Sequence, residues 1–185
     1  KTAYEIRNCD WSSDVCSSDL ILIDGTGRCW GGNAQGQLGN NSTNNFNLPQ
    51  TVLGLTGAVS VASGARHNCA GLADGTAQCW GDNSNFQLGN NIPSDAKTPV
   101  AVAGLSNVRA LSAGTRHTCA VLTTGIVRCW GDNFSGRLGD GTTTSSSTPV
   151  AAVGISNGTE PALGSDHSCA RDRKSTRLNS SHSSV

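Results

Sequence analysis

The chain has 185 residues and no formal net charge, with 36% hydrophobic and 14% charged residues, 23 glycines and no methionine. So few charges exclude a long coiled coil, and their balance offers no basic face for nucleic acid. No run approaches the roughly 18 apolar residues that span a bilayer, and the N-terminus lacks the basic-then-apolar order of a signal peptide.

In chain order, residues 1–20, with "DWSSDVCSSDL" at 10–20, share nothing with the rest of the chain. From position 21 the chain falls into three ungapped units of fifty residues: 21–70, 71–120 and 121–170. Gly25, Gly75 and Gly125 coincide, as do the Cys-Trp-Gly triplets beginning at Cys29, Cys79 and Cys129. Trp30, Trp80 and Trp130 are therefore equivalent, and so are Asn33, Asn83 and Asn133. Gly64, Gly114 and Gly164 precede His67, His117 and His167, which lead into Cys69, Cys119 and Cys169. So many matches in one phase define a repeat.

Each unit reads as short strands. "HNCAGLADGTAQCWG" predicts two strands around a three-residue loop whose last position favours a left-handed glycine, here Gly75 and, one unit on, Gly125. That loop sets Cys69 opposite Cys79 and Cys119 opposite Cys129, near disulfide spacing. "TPVAVAGL" and "VRALSAG" predict two further strands, with Pro99 at the start of an edge strand. Pro161 predicts a weaker or bulged strand in the third unit. The fold class is thus all-β, and four strands per fifty residues is the content of a propeller blade. Three units predict a partial β-propeller of about three four-stranded antiparallel blades.

The pattern "RHNCAGLADGTAQCWGDNSNFQLG", repeated as "RHTCAVLTTGIVRCWGDNFSGRLG", resembles the regulator-of-chromosome-condensation repeat in its cysteine-containing form. The resemblance covers 21–170 and implies a β-propeller, usually of seven blades, so that 21–171 would be a fragment of a longer protein. It also implies two kinds of activity: display of loops to a protein partner, or guanine-nucleotide exchange and chromatin binding.

The two ends have a different expectation. One choice of codons for residues 1–20 has a reverse complement that reads "DRKSTRLNSSHSSV", which is 172–185 in full. The shared string looks like a sequencing-library adapter, so 1–20 and 172–185 are expected to extend no blade. Of eight cysteines, Cys9 and Cys16 then drop out. Cys69–Cys79 and Cys119–Cys129 form pairs, whereas Cys29 and Cys169 face positions 19 and 179 and are expected to be unpaired by truncation. Repeated pairs favour an oxidising compartment: outside the cell, its surface or the periplasm, with the cytoplasm as the alternative.

No catalytic or cofactor site is expected. His67, Cys69 and Cys79, with their counterparts His117, Cys119 and Cys129, offer three zinc-type ligands per unit but no Cys-x-x-Cys clamp. A structural role for the histidines and tryptophans is the simpler reading, with each indole packed between blades and its N–H satisfied. Nucleophile and base would need to be unique, yet every histidine and cysteine of 21–170 belongs to the repeat. An enzyme would need its active centre in blades outside this chain. Residues 21–170 hold Lys97 and six arginines against seven aspartates and Glu160, so no nucleic acid is expected as partner. The stretches 40–48, 90–98 and 140–148 differ most between units, and repeat proteins place such variation on a binding face. A protein partner, with no membrane insertion, is the expectation.

Overall fold

A computed structural model describes residues 5–7 and 17–172. The first sheet contains β1 (Glu5–Arg7), β2 (Ser17–Ile21), β3 (Gly27–Gly31) and β4 (Phe46–Thr51). A second contains β5 (Ala58–Ser63), β6 (His67–Leu72), β7 (Ala77–Gly81) and β8 (Ala96–Ala101). The third repeats it with β9 (Val108–Ala113), β10 (His117–Leu122), β11 (Val127–Gly131) and β12 (Ser146–Ala151). Finally β13 (Gly158–Leu163) pairs with β14 (Ser168–Asp172). Strands consecutive in sequence are neighbours in each sheet, and all pairs are antiparallel.

Turn chemistry produces this meander. Leu72 N donates to Thr76 O at 2.9 Å, closing the loop around 73–75, and Gly75 sits at φ +82°. A residue with a Cβ is strained at that angle, which explains glycine there. Asp74 Oδ1 accepts from both the backbone N–H and the hydroxyl of Thr76, so the turn is also bonded through its side chains.

The fifty-residue period is retained, but its phase differs from the cut made at 21. Sheets begin at Ala58 and Val108, so each unit counted from 21 straddles two sheets. The outer strand is β8 at Ala96–Ala101 rather than the whole of 98–105. Val102 and Leu105 are apolar because they are buried in the link to the next sheet. Pro99 does lie on an outer strand, though within it and not at its start. The bulge expected near Pro161 is present between Gly158 and Glu160, but β5 carries the same irregularity between Ala58 and Ser60 without a proline. It is therefore a property of the repeat.

The expectation that 1–20 extend no blade is not met at two segments. β2 pairs with β3, placing Asp19 opposite Cys29, and β1 pairs with β2. The free edge of β3 is a row of backbone donors and acceptors that any extended segment can satisfy. Asp172 ends β14, and the facing of Cys169 to position 179 lies outside the described residues.

The core lies between sheets. Trp80 packs back onto Cys29, Leu38, Val52 and Leu55 of the first sheet and its link. Trp130 packs onto Cys79, Leu88, Val102 and Leu105 in the same way. Each tryptophan is thus a knob that fastens its own sheet to the preceding one.

Candidate interaction face

The repeated residues first build the frame that carries the face. Cys69 and Cys79 are disulfide-bonded, as are Cys119 and Cys129, each pair directly opposed in the ladder. Trp80 Nε1 donates to Gln37 O at 2.8 Å, and Trp130 Nε1 to Gln87 O at 2.9 Å. The same two carbonyls accept a second bond, from Asn68 Nδ2 at 2.7 Å and from Thr118 Oγ1 at 3.0 Å respectively. One backbone oxygen per sheet therefore ties two side chains of the next sheet, using both its lone pairs.

Histidine completes this tie. His67 Nε2 lies 2.9 Å from Thr118 Oγ1, and His117 Nε2 lies 2.9 Å from Ser168 Oγ. Thr118 has one hydroxyl hydrogen and spends it on Gln87 O, so its oxygen must accept from His67. This assigns the Nε2–H tautomer, leaving Nδ1 buried without a hydrogen bond. Gly64 permits the arrangement, since a Cβ there would come 2.4 Å from His67 Cε1 and 2.6 Å from Gly114 O. Trp30 is only half-buried and His167 is exposed, because no described sheet covers either flank.

Burial holds His67 down at about 4, against a small upward pull from Asp82. His117 is also near 4, through burial and then the positive charge of Arg137. Between pH 4 and 6.5 the unfolded chain binds a proton that folded His67 refuses, so stability is full above 6.5 and falls as pH drops towards 4. For His67 alone the loss between pH 7 and pH 5 is about 2 kcal/mol. Urea unfolding at the two pH values will read this loss, and His67→Asn will reduce the dependence to the part that His117 carries. A denaturation midpoint that is equal at both pH values rules the assignment out.

These groups do not build a metal site. Among the described residues, no three His, Cys, Asp or Glu side chains gather closely enough to hold an ion. Both cysteines of each candidate triplet are spent on a disulfide.

The turn between first and second strands and the long loop between third and fourth lie at one end of each sheet. Asp82 N bonds Arg66 O at 2.8 Å, and Asp132 N bonds Arg116 O at 2.9 Å. Buried asparagines organise the long loops: Asn83 Oδ1 accepts from Leu88 N at 3.0 Å, while its Nδ2 donates to Asn90 Oδ1 and Ile92 O. Asn33 and Asn133 repeat the arrangement. Asp82 and Asp132 cap the loop starts by accepting from Ser84 N and Phe134 N.

The variable stretches 40–48, 90–98 and 140–148 fall in these loops and the first halves of the outer strands. They touch one another across sheets. Asn41 N donates to Lys97 O at 2.9 Å, and Asn91 N to Ser147 O at 3.1 Å. Ser147 Oγ adds a bond to Asn91 Oδ1 at 2.8 Å. Apolar side chains stand exposed on this surface: Leu48, Ile92 and Phe134, the last 83% exposed. An open cleft beside Phe134 is lined by Asn85, Arg116, Asp132, Arg137 and Asp166. Arg137 bridges it, pairing with Asp132 at 3.3 Å and Asp166 at 3.0 Å. Phe86 is held at φ +64°, where the other two units have Gly36 at +81° and Gly136 at +72°. A bulky residue in that region is strained.

Stacked, disulfide-closed, four-stranded meanders joined through a tryptophan knob define a β-propeller repeat protein. The chain belongs to the regulator of chromosome condensation (RCC1) repeat family, whose two repeat descriptions match residues 29–70 and 74–121, and 58–87 and 108–137. No curated protein matches it in sequence. Among solved structures it is similar to yeast RCC1 (Prp20) bound to Kap60, with TM-score 0.73 and 22% identity over 91% of this chain and 42% of that one. Prp20p from Saccharomyces cerevisiae, described with its binding to Gsp1p and histones, gives 0.70 and 20% over 85% and 42%. Human WBSCR16 gives 0.57 and 18% over 90% and 60%. These likenesses establish the fold, and the chain spans less than half the length of yeast RCC1. No described helix is long and apolar enough to cross a membrane.

Proposed function

We propose that the chain is a non-catalytic scaffold that presents its variable loops to a protein partner. The observation that carries this reading is Phe86. A strained, half-buried aromatic residue occupies a site that glycine fills in both sister units, at the same loop end as the exposed Phe134. Strain kept against an available glycine points to a use for the side chain, and exposed aromatic side chains beside arginines are what protein interfaces employ. The mechanism is rigid display: the indole–carbonyl ties fix the frame, and the loops choose the partner.

The test is a Phe86→Gly, Phe134→Ala double variant. It should be as stable as the parent or up to about 1 kcal/mol more stable, since Phe86→Gly relieves the backbone strain. Its capture of a cross-linked protein partner should fall at least tenfold. Undiminished capture would overturn the reading.

The disulfides support a secreted or surface location for this scaffold. A second reading, guanine-nucleotide exchange or chromatin binding, draws on the yeast relatives' Gsp1p and histone binding. Exchange and histone-binding assays on this chain discriminate the two. We also read 1–20 and 172–185 as adapter-derived. Recovering the gene from its source will support that if repeat sequence replaces them, and refute it if the same codons return.

A further inference from the structure

A second cleft, of about 210 Å³, opens at the loop end between the second and third sheets. Arg66, Asp82, Ser84, Asn85, Thr115 and Arg116 line it. It is the cleft beside Phe134 moved back by one unit: Arg66, Asp82 and Asn85 stand fifty residues before Arg116, Asp132 and Ser135. Asn85 and Arg116 border both clefts, so the two are continuous. Both sheets that wall the earlier cleft are complete four-stranded meanders.

The two clefts differ in charge. In the later one Arg137 lies between Asp132, at 3.3 Å, and Asp166, at 3.0 Å, so the chain supplies its own balance. One unit earlier Gln87 stands in place of Arg137, and Arg116 in place of Asp166. The bridging cation has become neutral, and a carboxylate has become a guanidinium. Arg66 and Arg116 therefore face Asp82 alone, with one positive charge in excess. Among the described residues neither arginine enters an ion pair. Arg116 gains none from the later cleft, because Arg137 already engages both carboxylates there.

The surrounding bonds hold these charges in place. Arg66 O accepts from Asp82 N at 2.8 Å and Arg116 O from Asp132 N at 2.9 Å, which fixes the main chain at both rims. Both arginines are exposed, whereas Asp82 is buried and accepts from Ser84 N through Oδ1. Ser84 Oγ accepts from Asn85 Nδ2 at 3.0 Å and keeps its own hydrogen to donate. An anion entering between the rims meets two cationic forks and a hydroxyl. A single excess charge matches a carboxylate, which guanidinium groups bind through paired, charge-assisted bonds. A phosphate, with nearly two negative charges, would be opposed by Asp82.

We infer that this cleft receives an aspartate or glutamate side chain of the protein partner, held between Arg66 and Arg116. The inference rests on the reading of this face as a partner surface, and adds that the partner is acidic where it meets the second and third sheets.

The probe is acetyl-Glu-Glu-Glu-amide, titrated at low ionic strength into the full isotope-labelled chain while the arginine Nε–Hε signals are followed by NMR. The signals of Arg66 and Arg116 should shift together. Arg109, also exposed but outside the cleft, should not respond. Acetyl-Gln-Gln-Gln-amide should bind about tenfold more weakly, as should the glutamate peptide to an Arg66→Gln, Arg116→Gln double variant. Absence of shifts at the two arginines, equal shifts at Arg109, equal binding of the glutamine peptide, or tighter binding of inorganic phosphate would each overturn the inference. Capture of the cross-linked partner separates it from the reading on which it rests. The arginine variant should lose capture about tenfold, as the Phe86→Gly, Phe134→Ala variant does. Loss in the phenylalanine variant alone would keep the face as a partner surface and overturn the carboxylate; loss in neither would overturn both.

Discussion

Replacing Trp130 by alanine is expected to destabilise the chain by about 3–5 kcal/mol, the range for emptying a core tryptophan site. The residue has no exposed surface. Its ring fills the junction between two sheets, and its N–H satisfies Gln87 O. The substitution would open a cavity at a junction where β9 carries most of the other contact, so the sheets should part rather than collapse together. Trp30→Ala should cost much less, since that ring is only half-buried. Equilibrium unfolding in urea measures both. Similar losses at positions 30 and 130 would contradict the assignment of tryptophan as an inter-sheet knob.

Removing a disulfide is the second large effect. Each bridge closes a sequence separation of ten residues, for which chain-entropy arguments give about 2–3 kcal/mol. Both bridges join residues already opposed by the ladder, so they lock register as well as restrict the unfolded chain. Cys69→Ala with Cys79→Ala should lower stability by that amount, and the further loss of Cys119–Cys129 should roughly double it because the pairs lie in different sheets. A reducing agent should reproduce the double loss in the parent chain. An unchanged denaturation midpoint under reduction would show that the bridges do not form in solution.

Local features were legible in the sequence where they depend on neighbours in the chain. The hairpin about Gly75 and the facing of Cys69 to Cys79 come from loop length alone, and the structure has them in that register. The packing of Trp80 and Trp130 between blades was readable from their repetition beside a core cysteine. Their acceptors were not, because backbone carbonyls leave no signature in sequence. The histidine partner was hidden for a related reason. Positions 68, 118 and 168 read Asn, Thr and Ser, which looks like drift, yet each supplies a side-chain donor to the carbonyl of the preceding sheet. That shared capacity was the available signal.

Phase was harder than period. Any cut preserves a fifty-residue repeat, and only strand pairing reveals that the chain crosses between sheets at 102–107. Val102 and Leu105 read as strand because burial of a link needs the same apolar side chains as burial of a strand. Phe86 shows the limit of pattern reading from the other side. It sits in a glycine column as one exception among three, and its positive φ turns that exception into a functional candidate.

Hydrogen exchange of the chain, alone and bound to its captured protein partner, addresses the central claim most directly. The account predicts new protection in 40–48, 82–98 and 132–148, the loop end that carries Phe86 and Phe134. Protection confined to the opposite end, at 73–76, 102–107 and 123–126, would contradict it.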